Sequence, residues 1–274
     1  MIRITIDGQD ADITLENERT IGDVLAGLEQ WLRGSGYRLS GLEVDGETAD
    51  SRSLDRFFGQ DLAAVEILNI KTSSWAEHAV QSIVSLHGVL RALGDLAFRE
   101  REGLYRDWEA GPEAQFIKAE FPELYAMTEK TFAGEGIPPG ELEKVLEERL
   151  REFESPRREL EGSGSLVEAL AQRLRDLPLD IQTGKDSRAA ETMGIFSTLA
   201  EKLFRLFNLL RIGGNFPENL TVEGSPVKEF IGEFDAAVKE LIQAYEGRDT
   251  VLVGDLAEYE LAPRLLRFYA AINT

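Results

Sequence analysis

The chain has 274 residues, 30 lysines and arginines against 50 aspartates and glutamates, a formal net charge of −20, and no cysteine. That acidity repels nucleic-acid phosphate and anionic membrane surfaces, and the missing thiols exclude disulfides, thiol nucleophiles, iron–sulfur clusters and cysteine-ligated zinc. With 43% apolar residues at this length, more than one core can be buried, so two or three domains are expected. "MIRITIDGQD" lacks the basic stretch and apolar run of a signal peptide, and no segment holds the ~18 consecutive apolar residues of a membrane span. These features read as a cytoplasmic protein without membrane contact.

Residues 1–72 form the first expected domain. Ile2, Ile4 and Ile6 alternate along a strand, Asp7-Gly8 can turn, and alternation resumes at Ala11, Ile13 and Leu15, which predicts a hairpin. Thr20 caps a helix carrying Ile21, Val24, Leu25, Leu28, Trp31 and Leu32, stopped by Gly34 and Gly36. "YRLSGLEVDGE" and "LAAVEILNI" read as two further strands with "SLDRFF" as a helical turn between them, and Ile4, Ile13, Val24, Leu28 and Ile67 as the core. The order strand, strand, helix, strand, strand resembles the β-grasp fold of ubiquitin-like proteins. The conjugating members of that fold end in a diglycine, whereas this strand runs on as "LNIKTSSW", and the ferredoxin version needs four cysteines. The resemblance therefore implies a docking module or a lid on the helical part.

Residues 73–161 switch to helical spacing. Trp75, Ala79, Ile83, Leu86, Leu90, Leu93 and Ala97 line one stripe of a long helix that also carries both histidines, His78 and His87. Nine residues apart, these lie on roughly opposite sides, and neither follows a carboxylate by three positions, so neither a shared metal nor a carboxylate-bridged helical site is expected. Each histidine reads as structural. "DWEAGPEAQFIKAEFPELYAMTEKTFAGEGIPPG" is broken by glycine and proline into short helices that bury Trp108, Phe116, Phe121, Tyr125 and Phe132. The narrow stripe Leu142, Val145, Leu146, Leu150 and Phe153 predicts a helix packed on a neighbour, or an arm meeting a partner. "SPRRELEGSGS" reads as a boundary.

Residues 162–274 hold four helical segments, at 165–182, 186–211, 225–247 and 249–272, with breaks at "TGK", "IGGNFPENLTVEG" and "GR", which predicts a four-helix bundle. The second is apolar enough to be expected as the most buried. On the last, Asp255 and Glu258 fall at the core margin beside Tyr259, and Lys202 and Arg205 on the second segment are their expected partners, with Arg211 and Arg264 as further bases. That set reads first as a polar clasp between helices, and alternatively as an acid/base pair. Pro263 predicts a kink or break near Glu258 to Ala262. The run Ile181-Gln182-Thr183-Gly184-Lys185-Asp186 and the later "DTVLVGDLAEYELAP" resemble an uncharacterised family of bacterial helical proteins. The bundle is more distantly similar to flagellin-type export chaperones, which implies grooves for a partner helix.

The fold class expected is thus α+β: a small β-grasp domain, then a mostly helical region ending in a four-helix bundle. No phosphate loop, Gly-x-Ser-x-Gly elbow or His-Glu-x-x-His occurs, so no catalytic residue, cofactor or metal is assigned. The leading expectation is a non-enzymatic adaptor for a protein partner, in motility or export. The alternatives are a ligand binder or enzyme using Asp255, Glu258 and Tyr259 in an interdomain cleft, and an acidic mimic of nucleic acid.

Overall fold

The computed structural model describes residues 2–274 except 12, 16, 35, 51–54, 94–97 and 218. The chain divides into two compact units, 1–153 and 154–274. The architecture is α+β, a mixed five-stranded sheet followed by a helical remainder that carries one small hairpin.

In the first unit β1 (Arg3–Ile6), β2 (Gln9–Asp10), α1 (Ile21–Gly34), β3 (Tyr37–Val44), β4 (Glu47–Asp50), α2 (Asp55–Phe58) and β5 (Ile67–Ser74) follow in order. The sheet runs β2-β1-β5-β3-β4, with β1 parallel to β5 and the other pairs antiparallel. α1 begins where expected: Thr20 Oγ1 accepts from the Asp23 amide and the Asp23 carboxylate accepts from the Thr20 amide. Its buried face, Ile21, Val24 and Leu25, meets Ile4, Leu42, Val44, Leu68 and Ile70.

Three details depart from the sequence reading. First, β4 is a strand of its own, because "YRLSGLEVDGE" turns back at Asp45-Gly46 as the chain does at Asp7-Gly8. All four residues have positive φ (50° and 87°, 50° and 80°), the left-handed pair that matches strand twist in a two-residue hairpin. Each aspartate also fastens its turn to the central strand: Asp7 accepts from Thr72 N and Oγ1 at 2.9 and 2.7 Å, and Asp45 from the amides of Glu66 and Ile67 at 3.0 and 2.8 Å. Second, Leu62–Ala64 is a 3-10 turn capped by Asp61, and β5 starts only at Ile67. Alternation then turns Leu68 and Ile70 inward and leaves Ile67 46% exposed, so Ile67 is not in the core. Third, β2 spans two residues, and Ile13 and Leu15 reach the core from outside the strand, half-buried.

The same unit continues through α3 (Trp75–Ala92), α4 (Phe98–Glu109), α5 (Pro112–Glu120), α6 (Pro122–Ala133) and α7 (Pro139–Glu154). A Ser74–Glu77 capping box opens α3, and Ala79, Ile83, Leu86, Leu90 and Leu93 are buried as expected. Ala97 lies outside the described residues. Pro112 and Pro122 each start a helix, since a first-turn residue has no amide to lose. These helices keep a core separate from that of the sheet, with Leu90, Trp108, Ile117, Phe132, Leu142 and Leu146 among its members. α7 is therefore a packed helix rather than an arm.

The second unit comprises α8 (Pro156–Gly162), α9 (Gly164–Gln182), α10 (Asp186–Ile212), the β6 (Thr221–Val222) and β7 (Ser225–Pro226) hairpin, α11 (Val227–Glu246), α12 (Thr250–Asp255), a π-helical turn (Leu256–Leu261) and α13 (Ala262–Ile272). The four long segments expected are present, and α9 packs against α10, α12, the π turn and α13. "SPRRELEGSGS" is helical, holding α8 and the start of α9, and the division between the two units falls just before it. Gly164 is small because a Cβ there would stand 2.8 Å from Tyr269 Oη, so the glycine permits close helix approach. α10 is not the most buried helix: Glu191, Ser197, Glu201 and Asn208 face solvent, and the last segment buries as many positions over a shorter length. The distortion expected near Pro263 is the π turn just before it, which absorbs the missing amide by widening one turn.

Candidate functional site

The last helix brings Asp255, Glu258 and Tyr259 onto one exposed stretch. Tyr259 is 64% exposed, Asp255 is exposed and Glu258 half-buried. The Glu258 carboxylate beside it, by charge and by hydrogen bonding, holds the Tyr259 phenol above its ordinary range, and Asp255 adds to this. The expected basic partners do not join them. Lys202 donates to Glu159 at 2.9 Å within the second unit, Arg264 pairs with Glu260 and faces Glu233 at 4.0 Å, and Arg205 lies half-buried on α10. Among the described residues no salt bridge links Asp255 or Glu258 to a base. The clasp rested on straight-helix phasing, and the π turn breaks that phasing at Leu256.

A buried carboxylate does fasten the bundle, but it is Asp180 on α9, 2% exposed. Its oxygens lie 3.1 Å from Arg188 Nε and 3.5 Å from Lys185 Nζ. Beside it Arg173 donates to Thr192 Oγ1 at 3.1 Å and to Glu191 at 2.7 Å, so the α9–α10 turn closes on paired charges. Two residues before Asp180, Pro178 packs on Gly254 of α12, where a Cβ would come within 3.0 Å of the proline ring. The sequence signal for Asp180 was its place three residues after Leu177, in register with buried Leu170, Leu174 and Leu177.

A second polar feature lies in the first unit, where α3, α5 and β3 meet. Ser40, His78, Gln81, Ser82, Pro112 and Glu113 line a recess of about 30 Å³, room for one or two water-sized groups. His78 and Ser82 stand one turn apart on α3, and Pro112 starts α5 so that Glu113 falls in its first turn. His78 Nδ1 and the Oγ of fully buried Ser82 have no hydrogen-bond partner among the described residues. The His78 ring meets Phe116 edge-on at 4.5 Å. Burial pushes its pKa below the ordinary 6.5, with the Glu113 charge opposing and Arg38 reinforcing the shift. His87 belongs elsewhere, its Nε2 3.8 Å from Glu147. The four-residue spacing of His78 and Ser82 was legible, but Glu113, 31 positions further along, reaches them only through the α3–α5 packing. Among the described residues no group of three or more His, Cys, Asp or Glu side chains could hold a metal ion, and no helix is long and apolar enough to cross a membrane.

Comparison with known proteins divides the chain in a similar way. A family model described as the TP0873 N-terminal domain matches residues 2–74, and one described as a domain of unknown function, DUF8042, matches residues 159–271. An uncharacterized protein of Treponema pallidum (strain Nichols) is 24% identical over 260 residues, covering 95% of this chain and 90% of its own length. No solved structure matches the chain. The 159–271 match contains Asp180, Gly254 and the π turn; the 2–74 match contains the whole sheet.

Proposed function

We propose that this chain is a non-enzymatic bacterial interaction protein, an adaptor of the cytoplasm whose helical bundle docks a protein partner. The observation that carries this reading is the exposure of large apolar side chains at one end of the bundle. Leu179, Tyr245 and Val251 are 58, 45 and 71% exposed. The contact of Gly254 with Pro178 and the short α11–α12 turn put all three at that end. Apolar surface gathered in this way is a common mark of an interaction site. With a chain charge of −20, the occupant of best fit is an amphipathic helix with basic flanks, in keeping with the likeness to export chaperones and with a role in motility or export.

The strand order β2-β1-β5-β3-β4 supports the ubiquitin-like, β-grasp reading of residues 1–72. The sheet face opposite α1 carries Arg3, Thr5, Glu43, Asn69 and Lys71, too polar to be the main apolar contact. The enzyme reading requires Asp255, Glu258 and Tyr259 turned into an enclosed cleft, against which stands the exposure of Tyr259. The nucleic-acid mimic requires unbroken rows of carboxylates, whereas Glu141, Glu191 and Asp235 are each neutralised by a neighbouring base. The test is affinity capture from the native bacterium with the full chain and with Val251→Glu. Loss of one captured protein from the variant, at unchanged helicity, supports the reading; identical capture by both refutes docking at this end.

A further inference from the structure

The recess on α3 has the composition of a built site. Ser82 is fully buried, yet its hydroxyl finds no partner among the described residues, not even the backbone carbonyl four residues back that a helical serine commonly takes. His78 Nδ1, one turn earlier, is buried and equally unmatched. A buried polar atom left without a partner costs ~1–3 kcal/mol, so two side by side in one recess point to a guest that bonds both. Glu113 is the one lining residue with a formal charge. The guanidinium of Arg38 on β3 is engaged by Glu120 at 3.3 Å and by the Tyr37 carbonyl.

We propose that the recess binds a primary ammonium group, which would donate its three protons to His78 Nδ1, Ser82 Oγ and the Glu113 carboxylate. The fit is one of number, charge and size. An ammonium has three donors and no acceptor, and a carboxylate has lone pairs enough to accept it alongside another partner. An anion would meet the Glu113 charge. A quaternary ammonium has no proton to donate. The geometry requires His78 as the neutral tautomer protonated on Nε2, leaving Nδ1 to accept. The acidity of the whole chain concentrates cations around it. This inference is independent of the docking end of the bundle.

The experiment uses the full chain and the imidazole C–H resonances of its two histidines, assigned with His87→Gln. Methylammonium is titrated to about 100 mM at constant ionic strength, since a ligand of two heavy atoms binds no tighter than a Kd of about 5 mM. The expected result is a saturable shift of His78 alone, absent with tetramethylammonium and with potassium, and weakened at least about tenfold by Glu113→Gln and by Ser82→Ala. Butane-1,4-diamine and N-acetyl-lysine methylamide then distinguish a free amine from a protein lysine as the natural donor. Folding of each variant is checked by unchanged helicity, and Ser82→Ala serves if Glu113→Gln does not fold. The proposal is overturned by a His78 signal that stays put, the result for a recess that holds water only. An equal response to potassium or to acetate overturns it as well.

Discussion

The two units differ in how many buried polar atoms they leave unmatched. The first leaves Ser73, His78, Ser82, His87 and Trp108 each with a buried polar atom that has no hydrogen-bond partner among the described residues, while the described residues of the second leave only Asn273. Yet the second buries Asp180 and meets it with two bases. A satisfied buried charge fastens a fold, and an unsatisfied polar atom costs stability unless something outside the fold repays it. The first unit also pairs a buried charge, Glu152 on α7, 1% exposed and 3.3 Å from Arg149, so what sets the sheet-bearing unit apart is its unmet hydrogen-bonding capacity.

The largest effect is expected from Asp180→Ala. Lys185 and Arg188 are about half exposed, so they resolvate once released, and the loss should be about 2–3 kcal/mol, below that of a fully buried pair. Thermal unfolding should begin about 5–10 °C lower, and adding Arg188→Ala should cost less than the sum of the two changes. An unchanged melting temperature would erase the contrast between the units.

Gly254→Ala comes next, because its Cβ would press on the Pro178 ring at 3.0 Å, with an expected cost of about 1–3 kcal/mol. Gly164→Ala meets the far end of Tyr269, the hydroxyl at 2.8 Å and ring carbons at 3.4 and 3.7 Å, a side chain that can swing aside, and should cost less. Denaturant midpoints of the two variants sharpen the comparison; the reverse order would contradict it.

A third expectation concerns pH. The unfolded chain takes up a proton at the ordinary histidine pKa of 6.5, while folded His78, with Glu113 on α5 and Arg38 on β3 facing it, protonates only at lower pH. Stability is therefore full above 6.5 and falls as the pH drops through 6.5 towards the depressed value. Asp23 and Glu77, held below their ordinary 3.8 and 4.5 by backbone hydrogen bonds, lose their contribution only under more acid conditions. Replacing His78 with Asn should flatten the stability profile between about pH 7 and 5, and a profile identical to that of the parent would remove the histidine from the account.

The smallest effect belongs to Asp255→Ala and Glu258→Ala. Without basic partners, each should change stability by no more than about 0.5 kcal/mol. A loss of several degrees in calorimetry would restore a clasp at this position.

The pattern of hits and misses follows from what local spacing can encode. Helical spacing placed α1, α3 and the four long bundle segments because each repeats its apolar residues over several turns. The Asp7-Gly8 turn is legible between alternating residues, and Asp45-Gly46 carries the same signal inside a run that reads as one strand. Ile67 reads as core although it faces outward, because period-two alternation cannot reveal where a strand begins, and a shift of one residue exchanges the faces. Glycine and serine at 162–165 read as a boundary with nothing to fold on, whereas Gly164 answers to Tyr269, more than a hundred residues away. Pro263 located the helix distortion but not its π form, and that form separates Asp255 and Glu258 from the bases expected to meet them. The recess was out of reach for the same reason, since it is assembled from three elements.

Ser82 stands in the fold at a cost and Asp180 to its benefit. All three tryptophans, Trp31, Trp75 and Trp108, lie in the first unit, so their fluorescence reports its unfolding while far-ultraviolet circular dichroism reports both. Urea unfolding of the parent, Ser82→Ala and Asp180→Ala, followed by both signals, is the direct measurement. Ser82→Ala is expected to move the fluorescence midpoint to higher urea, and Asp180→Ala to lower the dichroism midpoint while leaving the fluorescence in place. A fluorescence midpoint lowered by Ser82→Ala, with no loss of dichroism stability in Asp180→Ala, would contradict it.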